Sequence, residues 1–454
     1  MLERSLGGWS RGWLAGLSLV LWCGASVGAA EAPAPAPAPA VTVTIDTDRA
    51  EALYRCGETA RFTIAVEVPE AARAAAKAKA VLTLDGGKVL ETRNLDLTKG
   101  PSTIEGTLAE PGFLQLAVSV DAAGTRGNGL AGAGFEPERI RKGSAKPADF
   151  DAFWAEGKQR LAALPLDLRQ TRLDAQCTEK AEVFAISFAN IDDTRIYGFL
   201  CVPRGKTGPF PAWVSVPGAG PGPLGPSGKN YAEEGVLALT MGVHAYDVGT
   251  LTRDEVQAIY KELNAPMTYS HHGAPDREKY YFRRTYLGID RAITWLASRE
   301  DFDRKHMVID GSSQGGGSAL ILSGLNANIT ALAANVPALC DHAGLLLERS
   351  SGWPRLVKGA TPEERQPYLE MAAYFDAAHF AESITIPAIV SAGFIDRTCS
   401  PSSVYAAYNE LKGPKRIFNG PREGHTTKVG EYPAFLGRWV RGQLGLTEPL
   451  PPTR

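Results

Sequence analysis

Hydrophobic and polar residues alternate with a period of two along residues 41–141. The alternation is clear at 41–45, at 62–68 and at 114–120, and glycine- or proline-containing breaks such as Asp85-Gly86-Gly87 separate the runs. Successive side chains of a strand point to opposite faces, so this pattern predicts half-buried antiparallel strands. We expect a small all-β, sandwich-like domain over residues 41–141, interrupted by an alanine-rich insert at 71–80.

From Pro147 onwards the spacing changes. A helical stripe at 150–164 is followed by a predicted hairpin, 183–188 and 196–202, and then apolar runs alternate with amphipathic stretches. The predicted later strands are 210–216, 236–241, 307–309, 331–338, 388–392 and 416–418. Alternation of this length predicts an α/β domain over residues 142–454, with a mostly parallel sheet covered by helices on both faces.

The N-terminal end has the composition of an export signal. Residues 1–30 combine an arginine-containing start, an apolar middle that is short for a membrane span, and small residues at 27–30. Residues 31–40 alternate alanine with proline and predict an extended linker. We therefore expect an exported protein, periplasmic or secreted, with no membrane span once the signal is removed.

Composition excludes some partners. The formal net charge is −2 and basic runs are absent from the sequence, which argues against nucleic acid. Beyond the signal, five cysteines remain, without a zinc-type spacing, so no metal or cofactor is predicted. Export permits disulfides, but the sequence does not choose their pairing, and an oligomer is compatible with it. The five are Cys56, Cys177, Cys201, Cys340 and Cys399.

The pentapeptide Gly311-Ser312-Ser313-Gln314-Gly315 carries the strongest chemical signal. It lies between the apolar run 307–309 and a helix opening with two more glycines, which is the setting of a nucleophile elbow. Two further G-x-S-x-G matches, at 8–12 and 24–28, fall in the predicted signal and lack that setting. Ser313 is therefore the candidate nucleophile.

A serine hydroxyl needs a base, and the base needs an acid that fixes its tautomer. In the α/β-hydrolase order, serine, acid, histidine, only His342, His379 and His425 follow Ser313. His425 lies in the loop after the last predicted strand, which makes it the candidate base. The acid candidates in the polar stretch after the elbow are read as solvated charges; they are Glu348, Glu363, Glu364, Glu370 and Asp376.

Asp396 is the preferred acid because it closes a predicted strand and its exit loop, from which a carboxylate can reach His425. Asp341, also just past a strand, is the alternative. For the oxyanion, the backbone N–H of Gln314 is one expected donor. The loop Pro217-Gly218-Ala219-Gly220, after an earlier strand, offers Ala219 as the other.

These residues resemble a known family. The segment from Tyr280 to Asp341, the loop GFIDRTCSPSSVYAAYNEL from Gly393, and the EGH of the histidine loop are similar to the acetylxylan esterase and cephalosporin-C deacetylase family, carbohydrate esterase family seven. The resemblance spans roughly residues 148–444. It implies an α/β-hydrolase fold, metal-free removal of acetyl groups from sugar hydroxyls, and the roles already assigned to Ser313, Asp396 and His425.

The chain departs from the family at two places. Where the family carries His-Gly-Tyr at the oxyanion loop, this sequence has Pro217-Gly218-Ala219, and the family's R-G-Q motif is replaced by Val243-His244-Ala245. A backbone donor survives such changes, but the pocket shape need not. Tyr269, His271, His272 and Trp353 lie in insertions that could rim the pocket, and packing explains them equally well.

The sequence thus predicts an exported serine esterase that acts on acetylated carbohydrates through an acyl-enzyme. Two alternatives stay open. One is a serine peptidase or lactone hydrolase using the same triad, and the other is a catalytically dead glycan-binding protein. The role of the N-terminal β domain is not predicted by its sequence.

Overall fold

The computed structural model describes residues 41–221 and 224–448. The predicted signal (1–30), the linker (31–40) and the last six residues of the predicted catalytic domain therefore lie outside the described residues. Within that range, no helix is both long and apolar enough to cross a membrane.

The N-terminal part is built from β-strands in two sheets. One sheet has the order β1-β3-β6 and the other the order β2-β8-β7-β4-β5. Alternate residues of β3 and β4 point into the space between them, as the period-two pattern predicts. Its elements are β1 (Thr42–Thr47), β2 (Leu53–Tyr54), β3 (Ala60–Glu67), α1 (Glu70–Arg73), β4 (Lys77–Leu84), β5 (Lys88–Leu95), β6 (Ser102–Gly106), β7 (Gly112–Ala122) and β8 (Thr125–Phe135).

The alanine-rich stretch 71–80 differs from the expectation of an insert. Only its first part lies outside the sheets, and from Lys77 it belongs to β4, which pairs with both β5 and β7. Ala78 and Ala80 are buried between the sheets. Alanine has no strand preference of its own, so the pairing with two neighbours decides the structure here.

The C-terminal part is a nine-stranded sheet with helices on its faces. The strand order is β17-β16-β15-β14-β12-β13-β11-β10-β9, in which β12 to β17 are parallel and the β9-β10-β11 end is antiparallel. The strands are β9 (Arg169–Arg172), β10 (Ala181–Ala189), β11 (Arg195–Pro203), β12 (Phe210–Val216), β13 (Leu237–Met241), β14 (Phe302–Ser312), β15 (Ala331–Asn335), β16 (Ala388–Gly393) and β17 (Lys415–Gly420).

The helices cover both faces of this sheet. They are α2 (Phe150–Ala162), α3 (Lys229–Glu234), α4 (Arg253–Leu263), α5 (Tyr281–Ser298), α6 (Gln314–Leu325), α7 (Pro362–Ala372), α8 (Ala377–Ala381), α9 (Pro401–Glu410) and α10 (Tyr432–Gln443). All residues of β13, β15 and β16 are buried, as expected for parallel strands between two helical layers. The predicted α/β fold class is confirmed.

The described residues form one compact unit. Phe113 on β7 belongs to the same hydrophobic core as the helices α5 and α6, and its ring packs against Phe394, 4.9 Å between centroids. The strands β1 to β8 (the β domain) therefore share a core with the nine-stranded sheet and its helices (the α/β domain) and contact the loop that follows β16.

Candidate active site

Four loops meet at the carboxyl ends of the parallel strands. Ser313 follows β14, Asp396 lies three residues after β16, His425 five residues after β17, and the loop 217–220 leaves β12. Because parallel strands all end at one edge of a sheet, residues far apart in sequence converge there.

Ser313 occupies a sharp turn between β14 and α6, with φ 58° and ψ −121°. The turn is possible because its neighbours have no side chain. A Cβ on Gly311 would lie 2.3 Å from Gly315, and a Cβ on Gly315 would lie 2.1 Å from the carbonyl oxygen of Val216. The backbone N–H of Ser313 donates to Asn335 on β15, 2.9 Å away, which ties the turn to the sheet. This is the geometry of a nucleophile elbow.

The three side chains that the sequence selects form one contact chain. His425 Nε2 lies 2.9 Å from Ser313 Oγ, and His425 Nδ1 lies 2.8 Å from Asp396 Oδ2. With the proton on Nδ1, the imidazole donates to the carboxylate and Nε2 is free to accept from the serine hydroxyl.

Asp396 is fully buried, and its other oxygen is also occupied. Oδ1 accepts from the backbone N–H of Thr398 (2.7 Å) and of Cys399 (2.9 Å), which fixes the carboxylate plane. The His425 side chain, in contrast, is 30% exposed. The acid is thus held rigidly beneath the sheet edge, while the base remains within reach of water.

The two expected oxyanion donors lie on either side of Ser313. Gln314 is the first residue of α6, so its N–H is among those that a helix start leaves without an intrahelical acceptor. A Cβ on Gly218 would lie 3.5 Å from the Ser312 oxygen and 3.9 Å from Ser313 Cβ, so the loop that carries Ala219 runs directly beside the nucleophile.

The same loop, residues 217–220, also lines a cavity of about 560 Å³, together with residues 224–227 and 242–244 among others. His244 lies in its wall, with Nδ1 2.7 Å from the Tyr281 hydroxyl, and Nε2 is buried without a partner in the described part of the chain. Burial lowers the pKa of His244 to about 4, so the ring is neutral at neutral pH.

Tyr269 connects this aromatic region to the elbow. Its hydroxyl donates to Gln314 Oε1, and its ring lies 4.7 Å from that of His244. Burial raises the pKa of Tyr269 far above its ordinary value, so the hydroxyl stays protonated and can donate. No pattern in the sequence predicts this contact, because the partners are 45 residues apart and Tyr269 belongs to no recognised motif.

The other rim candidates pack around the same region. The ring centroids of Trp353 and Tyr269 are 6.4 Å apart, and those of His272 and Tyr281 are 6.0 Å apart. His272 Nε2 also contacts the Met267 carbonyl at 3.0 Å, and His271 lies next to Ser270, with Nδ1 3.3 Å from its hydroxyl. These contacts account for Trp353, His271 and His272 as packing residues, whereas Tyr269 also contacts the elbow.

The rejected acid and base candidates lie elsewhere. Asp341 Oδ2 pairs with Arg349 at 2.8 Å, while Oδ1 accepts from the Gly143 N–H. His342 and His379 are buried, and burial lowers the pKa of both. Neither contacts Ser313.

The reading of Asp376 as a solvated charge is wrong. The residue is 2% exposed, and its carboxylate accepts from the backbone N–H groups of Asp341 (2.8 Å), His342 (2.7 Å) and Ala378 (3.0 Å). It caps α8 and anchors the loop after β15. The four glutamates of the same stretch are exposed, as expected.

All five cysteines of the described residues are free thiols. Burial, followed by the charge of Asp396, raises the pKa of Cys399 well above its ordinary value, and the thiol lies beside Ser313. Ligand atoms of Cys399, Asp396 and His425 all lie within 4.8 Å of one another. An ion bound there would occupy the same imidazole and carboxylate that contact the serine, so the set does not fit a resident metal alongside the triad contacts.

The elbow, the contact chain and the mostly parallel sheet are typical of the α/β-hydrolase fold. The sequence model of the family described as Acetyl xylan esterase (AXE1) matches residues 137–434. The chain belongs to this acetyl xylan esterase family, and it is therefore a carboxylic-ester hydrolase.

Individual relatives agree with the family. An acetyl esterase of Xylanibacter ruminicola is 32% identical over 355 residues, which is 77% of this chain and 78% of the relative. The structure of an acetyl xylan esterase from Paenibacillus sp. R4 is 26% identical with a TM-score of 0.58, over 68% of this chain and 98% of that one. Acetyl xylan esterase 1 from Thermoanaerobacterium sp. JW/SL YS485 shares the fold, with 21% identity, a TM-score of 0.57 and the same coverage.

Proposed function

We propose that this enzyme is an exported esterase that removes acetyl groups from acetylated carbohydrates, with Ser313, His425 and Asp396 as its catalytic triad. The observation that carries the proposal is the unbroken contact chain, with 2.9 Å between Ser313 Oγ and His425 Nε2 and 2.8 Å between Nδ1 and Asp396 Oδ2. Family membership and the acetyl esterase relative support acetyl as the acyl group.

In the first half-reaction, His425 Nε2 takes the Ser313 proton while Oγ attacks the acetyl carbonyl. Negative charge then develops on the carbonyl oxygen, and the N–H groups of Gln314 and Ala219 stabilise it. Protonated His425 gives its proton to the departing sugar oxygen, which leaves an acetyl-serine and a free sugar hydroxyl.

In the second half-reaction, water replaces the sugar. His425 takes a proton from water as the water oxygen attacks the acetyl-serine, and that proton then goes to Oγ as the C–Oγ bond breaks. Acetic acid leaves and releases its proton to solvent to give acetate. The partial exposure of His425 gives water a route to Nε2. Asp396 accepts from Nδ1–H throughout and stabilises the imidazolium of both steps.

Acetate release from acetylated xylo-oligosaccharides, compared with hydrolysis of a prolyl amide and of a lactone, tests the proposal. We expect acetate release by the parent enzyme and a loss on the order of 10⁴-fold in kcat for Ser313→Ala. When the full chain is expressed, the activity is expected in the exported fraction. Faster cleavage of the amide or lactone would overturn the substrate class, and glycan binding without turnover would indicate a dead enzyme.

The neighbouring serine provides a matched control. Ser312 Oγ accepts from the Asn335 side chain at 2.8 Å and has no contact with His425 among the described residues. Ser312→Ala removes one neutral hydrogen bond, so its activity is expected to stay within about tenfold of the parent. Equal losses in both variants would refute Ser313 as the nucleophile.

A further inference from the structure

A second cavity, of about 580 Å³, opens where the β domain meets the α/β domain. One wall is the turn Asp85-Gly86-Gly87 between β4 and β5, and the opposite wall comes from residues 345–365. Arg397 completes the rim. Since Arg397 directly follows Asp396, this cavity begins at the loop that supplies the proposed catalytic acid.

Four cationic side chains line the cavity: Arg355, Lys358, Arg365 and Arg397. Within residues 41–221 and 224–448, none of the four makes an ion pair within 4.0 Å, although ion pairs are common elsewhere on the surface. An uncompensated cluster of like charges is unfavourable in itself, so it calls for an explanation other than stability.

Two of the four side chains, Arg355 and Arg365, are oriented by neutral carbonyl oxygens, which leave their charge uncompensated. Arg355 donates to the carbonyl oxygens of Ser351 (3.4 Å) and Arg397, and Arg365 donates to the carbonyl of Thr361 (3.3 Å). Each guanidinium has five N–H donors, so several remain for a ligand.

Asp85 is the acidic residue in the lining, and it does not pair with the cations. Its Oδ2 accepts from the backbone N–H of Ser350 (3.0 Å) and from the hydroxyl of Ser402. The side chain is buried, and burial raises its pKa to about 6. The cavity therefore keeps an excess of positive charge.

The cavity is also close to the nucleophile. Arg355 donates to the carbonyl oxygen of Arg397, which directly follows Asp396. The Asp396 carboxylate is linked to Ser313 through His425 by contacts of 2.8 and 2.9 Å. A polymeric substrate whose acetyl group is held at Ser313 therefore has a cationic surface next to its neighbouring sugars.

We propose that this cavity is a binding subsite for an anionic sugar residue of the substrate, one that bears a carboxylate or sulfate group near the acetylated sugar. The proposal rests on the carbohydrate-esterase function proposed above. Guanidinium groups match the planar, bidentate geometry of a carboxylate, and lysine adds a point charge. Carboxylate and sulfate share this chemistry, and the test separates them.

The test compares kcat/KM for three acetylated xylo-oligosaccharides: one with a glucuronic acid branch, one with a sulfate ester and one without charge. We expect the parent enzyme to favour a charged substrate over the neutral one by at least about fivefold at low ionic strength. The preference is expected to shrink with added salt, since exposed charges are screened. The larger of the two preferences identifies the anion.

The double variant Lys358→Gln/Arg365→Gln removes two of the charges without touching the triad loop. It is expected to lower the ratio of charged to neutral kcat/KM to between one and two. Lys305→Gln, at an exposed lysine near the start of β14, is the matched control and should leave that ratio unchanged.

Binding of the same oligosaccharides to Ser313→Ala, measured by calorimetry, gives a readout that does not need turnover. The subsite is supported if Ser313→Ala binds a charged oligosaccharide more tightly than the neutral one and the variant Ser313→Ala/Lys358→Gln/Arg365→Gln does not. Equal affinities for charged and neutral ligands would overturn it, even if all three substrates release acetate. Absence of acetate release with intact p-nitrophenyl acetate hydrolysis would instead refute the proposed carbohydrate substrate.

Discussion

Two buried aspartates follow parallel strands of the sheet, and their partners distinguish them. Asp396 contacts the imidazole of His425 at 2.8 Å, whereas Asp341 contacts the guanidinium of Arg349 at 2.8 Å. Both are 0% exposed, so burial alone does not distinguish the proposed acid from a structural carboxylate. The partner does: it is an imidazole that also contacts Ser313 Oγ in one case and a guanidinium in the other.

We expect Asp396→Asn to lower kcat on p-nitrophenyl acetate by on the order of 10³- to 10⁴-fold with little change in stability, because an amide cannot stabilise the imidazolium and can impose the wrong tautomer. For Asp341→Asn we expect little change in kcat and a clear loss of stability. It leaves Arg349 buried without a counter-charge, which lowers the free energy of unfolding by about 3 kcal/mol. Steady-state kinetics and urea unfolding of both variants check the pair, and similar kcat losses in the two would contradict it.

The members of the proposed triad were selected from sequence because each follows a recognisable strand in a fixed order, and the structure brings the three side chains into contact. Asp376 could not be read in the same way. Its carboxylate accepts hydrogen bonds from the backbone N–H groups of residues 341 and 342, which lie 35 and 34 positions earlier in the chain. A carboxylate in a polar stretch of sequence looks solvated unless the donors that surround it are known.

At the scale of the element, the elbow depends on the absence of side chains at the junction of three strands. A methyl group on Gly315 would meet the Val216 carbonyl at 2.1 Å, and one on Gly317 would meet the Ala338 carbonyl at 2.1 Å. Both atoms that the methyl groups would meet are backbone carbonyl oxygens of neighbouring loops or strands. They cannot rotate away as a flexible side chain would.

Gly315→Ala is therefore expected to displace the start of α6 and to reduce kcat by at least about 100-fold, with a loss of stability of about 3 kcal/mol or more. Gly437→Ala provides the control, since its methyl group would meet only the end of the Arg441 side chain, at 3.6 Å. Within α10 that change should stabilise the helix by about 0.5–1 kcal/mol. Activity and thermal unfolding of both variants give the comparison; an active, stable Gly315→Ala would show that the elbow tolerates a side chain.

Period-two and helical patterns predicted most of these elements, because burial on one face or two leaves a direct trace in the sequence. The stretch 71–80 was harder. Its alanines favour a helix locally, and the pairing of β4 between β5 and β7 overrides that preference. Such pairing depends on partners that no local pattern records.

At the scale of the whole molecule, the β domain contacts both loops that carry the proposed acid and base. Gln115 on β7 is fully buried and donates from Nε2 to the Phe394 carbonyl at 2.8 Å, two residues before Asp396. The N–H of Gly132 on β8 donates to the Pro421 carbonyl at 3.3 Å, in the loop of His425. The β domain is thus part of the support of the site, a role that its sequence did not predict.

Asp85 makes this contact between domains sensitive to pH. Its pKa is raised from 3.8 to about 6 by burial, and its partners Ser350 and Ser402 belong to the α/β domain. A carboxyl group whose folded pKa is raised binds its proton more tightly in the folded state. Stability from this group is therefore full below about pH 4 and is lost as the pH rises towards 6.

We expect the free energy of unfolding of the parent, relative to that of Asp85→Asn, to fall by on the order of 2–3 kcal/mol between pH 4 and pH 7. Asp310 and Asp341 are also buried, with pKa values raised to about 6. Their effect on the pH dependence of stability is the same in both proteins and cancels in the difference, which therefore isolates Asp85. Urea unfolding at four or five pH values measures it. A difference that stays constant with pH, or that favours the parent at high pH, would contradict this prediction. It would mean that the hydrogen bonds from Ser350 and Ser402 offset the effect of burial on the pKa of Asp85, so that an ionised carboxylate stabilises the contact between the two domains.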